Sequence, residues 1–311
     1  MRPRQSRPPP PAPRQSAVHA LLPRPGSARP RPRPLYDLAR SAEEAPLLIA
    51  QISDLHLRGA GALYQGLVDS NADFARCVAA LNALDPQPDV ILLTGDLVDE
   101  GQPGEYQTAC SLLAKLNAPV FAIPGNHDAW GAFRAALAAH RYLPAAGPFH
   151  YVIADRGPVR IIALDVTVPG RHHGDVDATA ALWLEGALAA EPERPTLLMM
   201  HQPPFATGIP YLDPYGCRNG ERLAAIVARY PCVERVLCGH VHRAMQLRFA
   251  GTLLCTAPST TTTIALQLLP DAKPASYAEP PAFLLHHWQP GRGLLTHHCL
   301  VGAFPGPYPF A

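Results

Sequence analysis

Lysine is almost missing from this 311-residue chain: among 26 basic residues only Lys115 and Lys273 are lysines, which reads as a coding bias rather than a functional signature. Paired cysteines are missing as well. Cys77, Cys110, Cys217, Cys232, Cys238, Cys255 and Cys299 contain no CxxC pair, and an odd number at irregular spacing excludes a disulfide framework. Several sit in apolar runs, where a free cysteine behaves as a small buried hydrophobe, so a reducing, cytoplasmic compartment is expected. No apolar run approaches the ~20 residues of a membrane span. Charged residues make up 16% and hydrophobic residues 48%, the composition of an ordinary water-soluble domain.

What is present divides the chain in two. Residues 1–45 repeat proline and arginine, as in RPRQSRPPPPAPRQS and RPRPRP, and carry nine arginines against Asp37, Glu43 and Glu44. Such a segment cannot bury enough apolar surface to fold, so a disordered tail is expected. It lacks the apolar middle of a secretory signal and has no adjacent arginine pair. It reads either as a tether to an anionic partner or as an extension without function, the second being preferred. Residues 46–311 hold the remaining 17 basic and 22 acidic side chains, a balance of −5, and are expected to form one domain. That balance offers no surface for tracking a nucleic-acid polymer.

From Pro46 onward short apolar runs alternate with longer amphipathic stretches. Strands are expected at 48–53, 90–95, 120–124, 151–154, 160–165, 196–201, 235–240, 252–257, 262–268, 282–288 and 294–300. Helices are expected near 70–84, 104–117, 130–140, 177–190 and 219–230, with Ser70 as the N-cap of the first. Strand–helix alternation followed by strands alone argues for a layered α/β fold.

The informative pattern is what ends the early strands. LLIAQIS runs into Asp54-Leu55-His56, VILLTG into Asp96, VFAIPG into Asn126-His127-Asp128, TLLMM into His201, and RVLCG into His240-Val241-His242. Loops at the carboxyl ends of parallel strands converge on one crevice, so these groups are expected to form one site. An i, i+2 spacing in extended backbone would put Asp54 with His56, and His240 with His242, on shared faces, with Leu55 and Val241 turned away. Gly95, Gly125 and Gly239 precede the polar groups, where close backbone approach is useful. Mixed oxygen and nitrogen donors suit Mn, Fe, Zn or Co better than Ca. The donors are too many for one tetrahedral centre and fit two ions sharing a carboxylate, the ~4 Å clamp used in phosphoryl hydrolysis. The adjacent pairs His172-His173, His286-His287 and His297-His298 point to opposite faces of a strand and are expected at surfaces or edges.

These stretches also carry a resemblance. SDLHL (53–57), TGDLVD (94–99), PGNHD (124–128), MHQPP (200–204) and CGHVHR (238–243) resemble, in order, the five motifs of calcineurin-like metallophosphoesterases. TGIPYLDPYGCRNGERL (207–223), APSTTTTIALQL (257–268) and EPPAFLLHHW (279–288) are similar to the bacterial branch of cyclic-nucleotide and glycerophosphodiester phosphodiesterases. The resemblance implies a four-layer α-β-β-α sandwich: two central mixed β-sheets flanked by helices. It implies one metal on Asp54, His56 and His242, another on Asn126, His201 and His240, and Asp96 bridging them. His127 would face the substrate phosphate as general acid, with Asp128 orienting its ring. Asn126 would also touch substrate, and Arg243, just after the last donor, could touch it, with solvent-exposed charge the preferred reading. Arg58 reads as exposed charge in preference to a substrate contact, while Tyr211 and Tyr215 fit stacking or packing equally.

The implied reaction is in-line attack of metal-bound hydroxide on a small phosphodiester, with 3′,5′-cyclic AMP as the preferred substrate and glycerophosphodiesters, other small diesters or phosphomonoesters as alternatives. A non-catalytic scaffold of the same fold is disfavoured, because every ligand type and His127 are present. A homodimer through the C-terminal strands is the assembly expected of the branch.

Overall fold

The computed structural model describes residues 46–309; the expected disorder of the Pro/Arg tail lies outside the described residues. The first half runs β1 (Leu47–Ile52), α1 (Ser70–Asn82), β2 (Val90–Thr94), α2 (Pro103–Leu113), β3 (Val120–Ile123) and α3 (Trp130–Ala136). Next come β4 (Tyr151–Ile153), β5 (Arg160–Ala163), β6 (Gly174–Asp175), α4 (Ala178–Ala190), β7 (Thr196–Met199), β8 (Cys217–Arg218) and α5 (Gly220–Val227). Strands fill the remainder: β9 (Val233–Cys238), β10 (Met245–Phe249), β11 (Thr252–Thr256), β12 (Thr263–Ile264), β13 (Ser276–Tyr277), β14 (Ala282–Gln289) and β15 (Gly293–Leu300).

Two mixed sheets form the centre, ordered β15-β14-β1-β2-β3 and β10-β11-β9-β7-β5-β4. In the first, β1, β2 and β3 are mutually parallel; in the second, β5, β7, β9 and β11 are. These strands read as continuous apolar runs because both faces are buried, and the period-2 alternation then assigns each face. Ile49, Val90, Leu92, Phe121 and Ile123 face Ile161, Ala163, Leu197, Met199 and Leu237 across the layer between the sheets. Ala50, Ile52, Ile91, Leu93 and Ala122 point the other way, onto Phe74, Cys77 and Leu81 of α1, Tyr106 and Ala109 of α2, and Phe133 of α3. Ile162, Leu198, Val236 and Cys238 pack on Leu184 and Leu188 of α4 and Leu223 and Ile226 of α5. The result is the expected helix–sheet–sheet–helix sandwich.

Several local expectations are corrected. Asp69 caps α1, its carboxylate accepting from Ala72 N at 2.9 Å, while the hydroxyl of Ser70 turns inward to donate to His56 O at 2.8 Å. The strand expected over 262–268 is only Thr263–Ile264, and Leu266, Leu268 and Leu269 are exposed beyond it. Met245–Phe249 went unrecognised because it is an edge strand with an exposed middle and no apolar run. All seven cysteines are free, four of them buried. No helix among the described residues is long and apolar enough to cross a membrane.

His286 corrects the surface placement of the histidine pairs. It is fully buried in β14, its Nε2–H donating to Gln51 Oε1 at 3.1 Å and its Nδ1 accepting from Thr296 Oγ1 at 2.8 Å. Gln51 Nε2 in turn donates to Cys238 O of the other sheet at 3.0 Å and to Thr94 Oγ1 at 3.1 Å. Burial, followed by the Arg235 charge, pushes the His286 imidazole down to about 3 from its ordinary 6.5. The unfolded chain therefore takes up this proton first on acidification, and the folded state loses about 1.4 kcal/mol per pH unit below about 6.5 until the folded imidazole itself titrates. Replacing His286 with Asn keeps a donor and an acceptor but removes the titration. Denaturant unfolding at pH 7, 6 and 5 should show a shallower loss of stability in His286→Asn than in the wild type; parallel profiles would contradict the assignment.

Candidate metal centre

The carboxyl ends of β1, β2, β3, β7 and β9 meet along the seam between the sheets, and all seven expected donors gather there. Asp54, His56 and His242 form one buried group whose donor atoms lie within 4.8 Å of one another, and Asp96, His201 and His240 form a second. Asp96 Oδ2 lies 3.7 Å from His56 Nε2 of the first group and 3.2 Å from His201 Nε2 of the second, so one carboxylate oxygen serves both. Asn126 lines the same cavity, its Nδ2 3.3 Å from His172 Nδ1.

The backbone that delivers these groups is not the extended one expected. Asp54, His56, Asp96, His240 and His242 all have positive φ, between 44° and 72°. Left-handed backbone at a non-glycine residue costs of order 1–3 kcal/mol and persists only where surrounding contacts over-determine it. Those contacts are visible. Asp54 N donates to Gly95 O at 3.0 Å, Leu55 N to Asp96 O at 2.9 Å, and His240 N to Asp54 Oδ1 at 2.9 Å. From behind, Ser259 Oγ donates to Asp54 O and Thr261 Oγ1 to Leu55 O, each at 2.7 Å. Leu55 and Val241 are fully buried on the far side, as expected, though alternate left-handed residues do the turning and not a strand. A Cβ on Gly239 would collide with the Ser53 hydroxyl, and one on Gly125 with the Asp96 carboxylate.

The donor set fits a pair of metal ions on its own chemistry. His201 Nδ1–H donates to Thr94 O at 2.6 Å and His242 Nδ1–H to Thr262 O at 3.0 Å, while His56 Nδ1 lies 3.3 Å from Asp99 Oδ1. The two carbonyl contacts place Nδ1–H on His201 and His242 and so turn Nε2, the ligating nitrogen of a neutral imidazole, toward the centre, as outer partners of ligating histidines do. The Nε2 atoms of His56 and His242 are 3.0 Å apart, so both rings aim at one point. His201 Nε2 and His240 Nε2 are buried with no hydrogen-bond partner. Burial would raise the Asp96 carboxyl, but His201, His127 and His56 outweigh it and hold it well below the usual range. Burial would likewise lower His201, and Asp96 and Asp54 overcome it, holding the imidazole up at about 9. Negative charge at the centre is thus answered by protons on imidazoles, in positions where metal ions compete for the same lone pairs.

Around the donors lies a cavity of about 460 Å³ whose wall includes His127, His172, Tyr64, Tyr211, Tyr215 and Ile264. Tyr211 and Tyr215 therefore border the site. Arg243 does not: its Nη1 donates to Ile264 O at 2.7 Å, so it braces the cavity wall in place of touching a substrate directly. Arg58 is neither exposed nor at the cavity; it is largely buried against Asp99 at 2.6 Å, Glu100 at 2.8 Å and Glu105 at 3.2 Å.

Asp128 is also reassigned. Its carboxylate accepts from Gly125 N at 2.9 Å, Leu97 N at 3.1 Å and Tyr106 OH at 3.1 Å, and among the described residues no hydrogen bond joins it to the His127 ring. Burial, with Asp96 nearby, pushes its carboxyl up to about 6. The His127 ring is held by Asp99, through Nδ1–H to the Asp99 carbonyl at 2.7 Å, with the Asp99 carboxylate 3.5 Å away. Asp99 was readable as the last residue of TGDLVD, three positions after Asp96, but no spacing argument tied it to a histidine 28 positions on. His172 was set aside as half of an adjacent pair; residues 171–173 are not in a strand, so the opposite-faces argument does not apply to them.

Comparison with known proteins bears on this geometry. A dimetal phosphatase from Danio rerio superposes with a TM-score of 0.55 at 13% identity, covering 82% of this chain and 99% of that one, a likeness of fold. Fold and buried donor pair together define the class of metal-dependent phosphoesterases. The glycerophosphodiester phosphodiesterase GpdQ of Enterobacter lignolyticus is 33% identical over 266 residues, covering 84% of this chain and 94% of that protein. The 3′,5′-cyclic adenosine monophosphate phosphodiesterase CpdA of Escherichia coli is 35% identical over 222 residues, covering 70% of this chain and 78% of that protein. Residues 47–244 match the calcineurin-like phosphoesterase family, and the chain belongs to it.

The two aspartates make separable predictions. Asp128→Ala strands the amides of Gly125, Leu97 and Val98 and a tyrosine hydroxyl and should lower unfolding stability by about 2–4 kcal/mol. Asp99→Asn keeps the carbonyl that holds His127 but removes the carboxylate charge beside His56 and Arg58. It should lower metal-dependent phosphoester hydrolysis about 10–100-fold, as loss of an outer partner does. The stability cost should be about 1–2 kcal/mol, because Arg58 keeps Glu100 and Glu105. The reverse pattern, in denaturant melts and turnover assays, would return the orienting role to Asp128.

Proposed function

We propose that the protein hydrolyses small phosphodiesters, with 3′,5′-cyclic AMP as the preferred substrate. The observation that carries this reading is the cavity itself. Its lining includes the donors His56, Asp96, Asn126, His240 and His242 with His127, then Tyr211, Tyr215, Leu212 and Ile264, and among the described residues no arginine or lysine lines it. A diester brings one negative charge and uncharged arms, which suits such a wall; a monoester dianion brings a second charge with no cationic side chain to meet it. The tyrosine faces suit a base or ribose.

In this reading Asp54, His56 and His242 hold one ion, Asn126, His201 and His240 the other, and Asp96 both. Mn, Fe, Zn or Co fit the mixed nitrogen and oxygen donors. Bound there, the pair supplies Lewis acidity that activates water near neutral pH and offsets charge on the phosphoryl oxygens. The Asn126 amide is held between His172 and Gln202, its Nδ2 3.3 Å from His172 Nδ1 and its Oδ1 3.5 Å from Gln202 Nε2, and Oδ1 keeps a lone pair with which it would ligate. His127, whose Nδ1–H is committed to the Asp99 carbonyl, has Nε2 left for the substrate. The attacking water has already lost a proton to solvent. As its oxygen bonds to phosphorus and the P–O3′ bond breaks, His127 would give an Nε2 proton to O3′ and regain one from solvent, and 5′-AMP results. The names of GpdQ and CpdA support diesters of both kinds, so glycerophosphodiesters are the second reading.

A cytoplasmic site of action is supported by seven free cysteines. A homodimer is supported by the edge position of β15 and the exposed Leu295 and Leu300 upon it.

The test is hydrolysis by metal-stripped protein with Mn²⁺ restored, using cyclic AMP, glycerophosphocholine and bis(p-nitrophenyl) phosphate side by side. The expected result is Mn²⁺-dependent turnover with the highest kcat/KM on cyclic AMP, and a loss of about 10²–10⁴-fold in His127→Ala. Turnover of the other two without cyclic AMP would discard that substrate, and no metal-dependent turnover at all would discard the diesterase reading.

A further inference from the structure

One residue of the cavity wall is held in a backbone conformation that its side chain does not favour. Gln65 lines the cavity beside Tyr64, whose ring lies 4.8 Å from that of His56. The two belong to a tight turn closed by Tyr64 N on Val68 O at 2.8 Å and Val68 N on Tyr64 O at 3.1 Å. Gln65 has φ of 51°, left-handed backbone that glycine adopts without strain. The next residue, Gly66, is left-handed too, at 69°, and is a glycine. Position 65 keeps an exposed glutamine where the turn itself asks only for a glycine. We propose that Gln65 reads the base of a cyclic nucleotide and selects adenine over bases with an oxygen at position 6.

The carboxamide is oriented before any ligand arrives. Gln65 Nε2 donates to Tyr64 OH at 3.0 Å, and Tyr64 is only 6% exposed, so the partner that sets the amide is itself fixed. One Nε2 proton and the Oε1 acceptor are left over, and no hydrogen bond among the described residues engages that oxygen. A free carboxamide matches adenine on two atoms: Oε1 accepts from the N6 amine while Nε2 donates to N7. Hypoxanthine and guanine carry an oxygen at position 6, which sets acceptor against acceptor.

Other polar groups of the wall do not offer this pairing. Tyr211 OH is spent on Ala275 O at 3.2 Å, and Thr262 Oγ1 is buried. Among the described lining residues Gln65 is the one carboxamide outside the candidate metal donors. Donors, tyrosine faces and Gln65 share a cavity of about 460 Å³, the scale of a small-ligand pocket, so a base one ribose away from the scissile phosphate stays against this wall. The inference rests on the phosphodiesterase reading above and names the residue of that site that discriminates between bases.

Cyclic AMP and cyclic IMP separate the claims, since they share the ribose, the scissile bond and the charge and differ at the position-6 edge of the base. With Mn²⁺-loaded full-length protein, kcat/KM should be at least about fivefold higher on cyclic AMP. Gln65→Gly should bring the two within about twofold of each other. Its thermal midpoint should equal or exceed that of the wild type, because glycine accepts the left-handed turn. Equal rates in the wild type, or an undiminished preference in the variant, would overturn the inference. A preference lost only together with a lowered midpoint would make Gln65 a prop of the turn, and would overturn it as well. If neither cyclic nucleotide is cleaved, the cyclic-nucleotide reading fails and calorimetry still judges Gln65. The Mn²⁺-loaded wild type should then bind 5′-AMP at least about fivefold tighter than 5′-IMP, and the variant should bind both alike. Equal binding of the two by the wild type, or binding of neither, overturns the inference.

Discussion

The rest of the structure depends on a handful of hydrogen bonds that tie one sheet to the other at the carboxyl ends of their strands. Apolar burial between the layers is non-directional and would tolerate sliding. Three polar ties do not. Asp54 accepts from His240 N with both carboxylate oxygens, Gln51 donates to the Cys238 carbonyl, and His201 donates to the Thr94 carbonyl. Each joins a residue of the β1–β3 sheet to one of the β7–β9 ends, and each is buried, where breaking a hydrogen bond carries its full desolvation cost. Two of the three side chains that set the register of the sheets, Asp54 and His201, are thus also candidate metal donors.

This double duty explains the strain. Five donor residues occupy left-handed backbone, and glycines stand wherever a Cβ would meet a ligand. Folding alone does not ask for that arrangement. It is the arrangement that turns alternate side chains toward one point while Leu55 and Val241 enter the core. The electrostatics carry the same signature: the Nε2 atoms of His56 and His242 approach to 3.0 Å, and among the described residues the buried Nε2 of His240 has no hydrogen-bond partner. A centre built in this way is short of partners as protein, and in the proposed reading cations would complete it.

Much of this was legible in the sequence, for a physical reason. Doubly buried parallel strands write themselves as apolar runs, and groups placed at their carboxyl ends interrupt those runs abruptly, so β1, β2, β3, β7 and β9 and their donors could be read together. What failed was whatever depended on one side chain choosing among neighbours. Asp128 follows His127 directly yet turns back to the amides of Leu97 and Gly125, while Asp99, distant in sequence, holds the ring. Arg243 adjoins His242 but reaches for the Ile264 carbonyl. His286 looked like surface and is buried, because its partners Gln51 and Thr296 come from flanking strands that only the sheet order brings together. Strand ends are a local property, and partner choice is a tertiary one.

The central claim is that seven side chains on five strand ends hold two ions that share Asp96. Anomalous diffraction from crystals loaded with Mn²⁺ measures this directly. Two peaks are predicted, one among Asp54, His56 and His242, the other among Asn126, His201 and His240, with the Asp96 carboxylate between them. A single peak, or peaks away from Asp96, would contradict the account.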